Sequence, residues 1–376
     1  MRAPLSRRPV LWATVLMAAT AWAQQPGSLK QAYQGDFYVG AAMNAAEITG
    51  QDQQNDAILL EQFNSISPEN ALKWAIVNPE PGQYNWGLAD QYVAFGVEHH
   101  MWIVGHNLVW HNQVPAWVFR DKGGKLLTRA ALLARLKEHI FTEVGRYKGK
   151  IQSWDVVNEA LNEDGTLRQS LWYRIIGPDY IAKAFEYAHE ADPQAQLTYN
   201  DYNLASAAKL AGVIRLVKEL KAEGVPIDCV GMQNHDHLDS PTAGQEDAAI
   251  RAIAATGVKV AISELDINIL PWPGTGNTAD VSIHMASSPK WNPWPHGLPQ
   301  DVQKKLTEQY AALFGVFYKD RADISRVTFW GVTNAQSWLN DWPIPGRTNY
   351  PLLFDREGKP APAYYAVLQA AGQTAK

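Results

Sequence analysis

Eight short β-rich runs, separated by stretches of helical periodicity, narrow what this chain can fold into. The runs are Phe37–Ala42, Phe63–Ser67, Met101–His106, Ile151–Asn158, Gln196–Asn200, Ile227–Gln233, Val258–Glu264 and Arg326–Thr333. Between them lie amphipathic stretches such as Thr128–Arg146, Tyr180–Ala191, Ala207–Glu223, Glu246–Thr256 and Pro299–Lys319. Apolar residues recur there at spacings of three and four, as in Leu132, Leu133, Leu136, Ile140 and Val144, which gathers them on one helical stripe. Gly149, Gly224 and Gly257 stand where helices hand over to strands, a place that suits glycine. Strand–helix alternation repeated eight times predicts an α/β fold, a single (β/α)8 or TIM barrel. A doubly wound sheet is the competing arrangement, but no G-x-G-x-x-G follows the first strand, so its commonest ligand signature is missing.

The N-terminus reads separately from the barrel. Arg2, Arg7 and Arg8 precede an apolar run from Val10 to Ala21, and Ala21-Trp22-Ala23 supplies an A-x-A cleavage pattern before Gln24. A basic stretch, a short apolar run and small residues at a cleavage site describe a signal peptide, too short to span a membrane comfortably. The expected organisation is a signal peptide at 1–23, a lead-in at 24–36 and a barrel at 37–376, with an insertion at about 271–299. The expected location is therefore secreted or periplasmic. Without residues 1–23 the chain keeps 30 basic against 38 acidic groups, a net charge of −8. An acidic balance disfavours nucleic acid and anionic membrane surfaces, which attract basic patches. The lone Cys229 excludes an internal disulfide and reads as a small buried hydrophobe. A monomer without cofactor or metal is expected.

Barrel enzymes carry their reactive groups at the C-terminal ends of strands. Strand two ends in Pro68-Glu69-Asn70-Ala71-Leu72-Lys73 and strand three in Gly105-His106-Asn107-Leu108-Val109-Trp110-His111. Strand four ends in Trp154-Asp155-Val156-Val157-Asn158-Glu159, strand five in Asn200-Asp201-Tyr202-Asn203 and strand six in Gln233-Asn234-His235. Strand seven gives Ser263-Glu264-Leu265-Asp266 and strand eight Trp330-Gly331. A single Glu after a strand is usually a solvated loop acid. Two of them on strands four and seven, facing each other across a barrel, fit acetal hydrolysis. That reaction needs one carboxylic acid to protonate the leaving oxygen and one carboxylate to meet the cationic sugar carbon, about 5–5.5 Å apart where configuration is retained. Each carboxylate's field would raise the other's pKa and keep one protonated near neutrality. The 15 Trp add flat apolar rings of the kind that stack on sugars.

Over essentially the whole chain beyond residue 23, these ordered motifs resemble the family 10 glycoside hydrolases, the barrel xylanases. The resemblance implies hydrolysis of internal β-1,4-xylosidic bonds in xylan and xylo-oligosaccharides, with Glu159 as acid/base and Glu264 as nucleophile. It implies that Asn158 bonds the sugar 2-hydroxyl, and that Asp266 holds His235, which donates to Glu264. Lys73, His106, Trp110 and Gln233 would contact the sugar nearest the bond. Glu69 and Asn70 would bind the next one out, with Trp330 and Trp338 packed around both. Tyr202 and Asn203 would meet the leaving-side sugars. Ala71 and Ala75 depart from the acidic or larger residues often found there. The stretch Pro271–Pro299, with Trp272, Trp291 and Trp294, is longer than in a minimal member and leaves the shape of the cleft wall open.

Two other readings stand beside this one. An oligosaccharide-preferring xylanase, or another retaining β-1,4-glycanase of the same barrel superfamily, would show the same carboxylates. A carbohydrate-binding barrel without activity is disfavoured by two intact glutamates. The sequence His235-x-His237 could ligate a metal, but no further His or Lys at other strand ends completes such a site.

Overall fold

A computed structural model describes residues 27–272 and 280–372. The expected signal peptide, and residues 273–279 of the expected insertion, lie outside them. Eight parallel strands form a closed ring: β1 Tyr38–Met43, β2 Ser65–Pro68, β3 Trp102–Val109, β4 Ser153–Asn158, β5 Gln196–Asp201, β6 Cys229–Met232, β7 Lys259–Asn268 and β8 Ile324–Phe329. Closure comes from β8 pairing with β1, from Tyr38↔Arg326 to Ala41↔Phe329. Between β6 and β7 the register runs from Cys229↔Lys259 to Met232↔Ile262. A short extra strand, His235–His237, pairs parallel with the end of β7 and sets His235 opposite Asp266. The (β/α)8 barrel expected from the sequence is the fold.

The outer helices form because their apolar stripes have the barrel wall to cover. In Arg129–Arg146 the Thr128 hydroxyl caps the first turn by accepting from the Ala131 amide at 3.3 Å. Leu132, Leu136, Ile140 and Val144 of that helix are buried, each worth about 1.5–3 kcal/mol of removed apolar surface. Gly257, after the helix Ala243–Ala254, has φ 82°, which turns the chain into β7 without the clash a Cβ would bring.

Among the described residues, three helices of nine or more residues fall outside the stretches singled out from periodicity: Gln53–Gln62, Gly87–Glu98 and Pro362–Ala370. The first buries Asn55 and Gln62 beside Ile58 and Leu59, so its inner face is half polar and its apolar period is weak. Gln62 accepts from the Leu29 amide and the Tyr364 hydroxyl, tying both ends of the described chain to this helix. Cys229 is fully buried in β6, and burial pushes its thiol up to about 11. No helix among the described residues is long and apolar enough to cross a membrane.

Candidate active site

Glu159 follows the last residue of β4, with a left-handed backbone at φ 55°. Its amide donates to the Asn200 carbonyl at 2.8 Å, so β5 holds the turn that aims the side chain. One carboxyl oxygen accepts from Trp110 Nε1 at 2.8 Å and the other from Gln233 Nε2 at 3.1 Å. The carboxyl is nonetheless pushed up to about 7. Burial is the main cause and the charge of Asp201 the next, outweighing the hydrogen bonds of Gln233 and Trp110; Glu264 contributes least. Desolvation, far more than the partner carboxylate, thus sets the acidity of Glu159.

Glu264 lies within β7, as deeply buried as Glu159, yet its acidity goes the opposite way. Burial alone would raise its pKa. The positive field of His106, the charged hydrogen bond from His235 and the donation from Asn200 overcome that and hold it at about 2. Asn200 Nδ2 lies 2.6 Å from Oε1 and His235 Nε2 3.2 Å from Oε2. His235 Nδ1 is 3.0 Å from Asp266 Oδ1, and Trp338 Nε1 donates to Asp266 Oδ2 at 2.6 Å. Burial would discharge His235, but Asp266 and Glu264 on either side raise it to about 10. At neutral pH Glu264 is therefore ionised and His235 is an imidazolium, with Asp266 behind it.

Asn200 connects the two glutamates. Besides Glu264, its Nδ2 donates to Asn158 Oδ1 at 2.9 Å, and its Oδ1 accepts from Ser263 Oγ at 2.6 Å. The space for its side chain exists because β6 carries Gly231 there: a Cβ would lie 2.2 Å from Asn200 Oδ1.

Glu159 and Glu264 line one cavity of about 360 Å³ together with Glu69, Asn70, Lys73, His106, Trp110, Asn158, Gln233, His235, Trp330 and Trp338. Lys73 Nζ donates to Asn70 Oδ1 at 3.1 Å and Gln113 Oε1 at 2.7 Å, and lies 4.9 Å from the centre of the Trp110 ring. His106 Nδ1 meets Asp155 Oδ2 at 2.9 Å, and the other Asp155 oxygen meets the buried Arg326 at 3.3 Å. Trp338 stacks on Trp342 with centroids 4.5 Å apart. Asp266 is completely buried behind His235 rather than on the cavity surface.

Tyr202 and Asn203 stand apart from that cavity. Asn203 lines a second one of about 840 Å³, also bordered by His235, and donates to Glu163 at 3.1 Å. The Tyr202 ring is buried, with the Lys209 ammonium 3.4 Å from its centre and its hydroxyl accepting from Arg168 at 3.1 Å.

Asn200, Ser263, Gln113, Trp342 and Arg168 belong to the site or its frame without having been singled out from sequence. Asn200 and Ser263 stood inside motifs already quoted, one or more residues from the positions chosen. Gln113, Trp342 and Arg168 sit in loops where no local pattern marks them. His235, the first imidazole of His235-x-His237, is engaged by two carboxylates, and His237 packs edge-on against Trp272 at 5.7 Å. Among the described residues no group of three or more His, Cys, Asp or Glu is placed to hold a metal ion.

A closed parallel barrel with an acid and an ionised carboxylate at its C-terminal mouth, walled by indoles, is the build of a barrel glycoside hydrolase. The family model described as glycosyl hydrolase family 10 matches residues 28–370, and the chain belongs to that family. It is 44% identical over 355 residues to endo-1,4-beta-xylanase A of Xylanibacter ruminicola, covering 94% of this chain and 96% of the relative. Against endo-1,4-beta-xylanase of Geobacillus stearothermophilus the identity is 39%, over 91% of this chain and 98% of that one. The solved structure of a family 10 endoxylanase from a sugarcane soil metagenome superposes with a TM-score of 0.89 at 46% identity, covering 91% of this chain and 99% of that one.

Proposed function

We propose that this protein is an endo-1,4-β-xylanase that cleaves internal β-1,4-xylosidic bonds with retention of configuration, by double displacement on Glu264. The observation that carries the reading is the divergence of two buried carboxyls in one cavity, Glu159 held up to about 7 and Glu264 down to about 2. Family membership and the xylanase names of the relatives support the substrate.

In the first step a Glu264 oxygen bonds to the anomeric carbon while the glycosidic C–O bond breaks and Glu159 gives its proton to the departing oxygen. In the second, Glu159 takes a proton from water, whose oxygen bonds to the anomeric carbon and releases Glu264. Asn158 is suited to the 2-hydroxyl because Asn200 and Gln233 both donate to its Oδ1, which fixes the amide. Lys73, His106, Trp110 and Gln233 hold the inner sugar, Glu69 and Asn70 the next, with Trp330 and Trp338 around them. Tyr202 and Asn203 serve the leaving side, Tyr202 through the position it gives Arg168. Proton NMR of the first product formed from a xylo-oligosaccharide is expected to show the β-anomer; an initial α-anomer would overturn retention. Faster release of reducing ends from soluble cellulose than from xylan would overturn the substrate.

Export belongs to the same proposal, supported by the basic, apolar and A-x-A segments of residues 1–23. N-terminal sequencing of the exported protein is expected to begin at Gln24.

A further inference from the structure

The stretch that follows the nucleophile strand is fastened to opposite walls of the barrel mouth. On one side it runs along the loop after β8. The Met285 amide donates to the Pro343 carbonyl at 2.9 Å, the Thr348 amide to Asn292 Oδ1 at 3.0 Å, and the Tyr350 hydroxyl to the Trp294 carbonyl at 2.9 Å. At its other end Asp280 Oδ2 lies 3.9 Å from Arg168 Nη1. Arg168 belongs to the loop after β4, where its Nε donates to the carbonyl of Glu159 itself at 3.1 Å. In the ring order, β4 and β8 are four strands apart in either direction. A segment pinned to both loops therefore crosses the mouth. Val281, next to Asp280, lines the same cavity as both glutamates.

The crossing is held by an ionised group. Burial opposes the charge on Asp280, but two hydrogen bonds from Ser282, to the same carboxyl oxygen at 3.0 and 2.7 Å, and the Arg168 guanidinium keep its pKa below the ordinary value. Arg168 and Asp280 are 19% and 24% exposed, so the pair is only partly screened by water.

We propose that Asp280 and Arg168 form a clasp that holds the crossing segment over the cleft, making Asp280 and Val281 specificity-determining residues that favour short, unsubstituted xylo-oligosaccharides over polymeric xylan. This rests on the xylanase reading above. A long chain bearing side groups has to settle into the cleft sideways, past the crossing segment. A short chain enters along the cleft axis and leaves the clasp closed. Each productive encounter with polymer thus carries the cost of opening the ion pair, and encounters with short chains do not.

The test compares kcat/KM on xylotetraose and on arabinoxylan, whose side groups are uncharged, for the full chain, for Asp280→Asn and for Asp280→Ala, at low and at high sodium chloride. The polymer-to-tetramer ratio is expected to rise about fivefold in both variants, the scale of one partly exposed ion pair. In the unsubstituted enzyme the ratio should also climb with salt, because the pair is screened, and in the variants it should be flat. That salt response does not depend on how well a variant folds. A ratio that is unchanged in both variants and insensitive to salt, in an enzyme that cleaves xylotetraose, overturns the clasp alone. An unsubstituted enzyme that cleaves neither substrate overturns the xylanase reading, and the clasp's role falls with it.

Discussion

Two buried histidine–glutamate pairs among the described residues have equal spacing and opposite states. In the site, His235 and Glu264 are 3.2 Å apart, the imidazole raised to about 10 and the carboxylate lowered to about 2. On the outer helix Arg129–Arg146, His139 and Glu143 are also 3.2 Å apart, but burial drives His139 down to about 3 and Glu143 well above the usual carboxylate range. Proximity is therefore not what charges a buried pair. The site pair has Asp266 behind the histidine, and Asn200 and His106 beside the glutamate. The helix pair has the stacked Trp74 ring at 3.5 Å, and among the described residues no side chain donates to the Glu143 oxygens. Removing two charges from water costs more than their mutual attraction returns unless further polar groups share the load.

The largest effect expected from breaking the contrast is at Glu264, the proposed nucleophile. Glu264→Ala should lower kcat on the order of 10⁴-fold or more, with xylo-oligosaccharide binding still measurable by calorimetry. Activity within tenfold of the parent would move the nucleophile elsewhere. Next comes Asp266→Asn, which takes away the group that keeps His235 charged and so makes the site pair more like the helix pair. A fall in kcat/KM of about 10²- to 10³-fold is expected, the scale of one preorganised donor. The acid limb of the pH profile should also move upward, since a neutral His235 supports the Glu264 anion less. Before substitution, kcat/KM should fall above about pH 7 as Glu159 loses its proton and should hold on the acid side well below pH 4.

The smallest effect is on the helix. Glu143 is easier to protonate in the folded chain than in the unfolded one, so its stabilising contribution is complete below about pH 4.5 and is lost as pH rises toward the folded value. Glu143→Gln should therefore melt about 2–4 °C higher than the parent at pH 8 and at the same temperature near pH 4, with unaltered turnover. His139 acts in the other direction: its contribution is complete above about pH 6.5 and fades as pH falls toward about 3, in both proteins.

How much of this could be read from the chain divides along the same line. Strand ends carrying Glu159, Glu264, His235 and Asp266 were legible because a barrel confines chemistry to one end of each strand. The state of each group was not, because it depends on contacts between strands distant in sequence. Asn200 reaches Glu264 over 64 residues, and the gap it occupies is set by a glycine on a third strand. Likewise nothing within the strand Ile324–Phe329 points Arg326 to a partner, and only the closed ring brings it to Asp155. The helix Gln53–Gln62 shows no clear apolar period for a related reason: its buried Asn55 and Gln62 bond to other elements, so burial there is not spelled in apolar residues.

Trp338 faces two ways. Its ring forms part of the cavity wall, and its indole N–H ends on the carboxylate that charges His235. Anyone trimming that indole to admit bulkier hexoses would also loosen Asp266, so a change of diet would come with a change of acid tolerance. A library varied at this position and screened at one pH would confuse the two. Scoring each clone at two pH values would separate them.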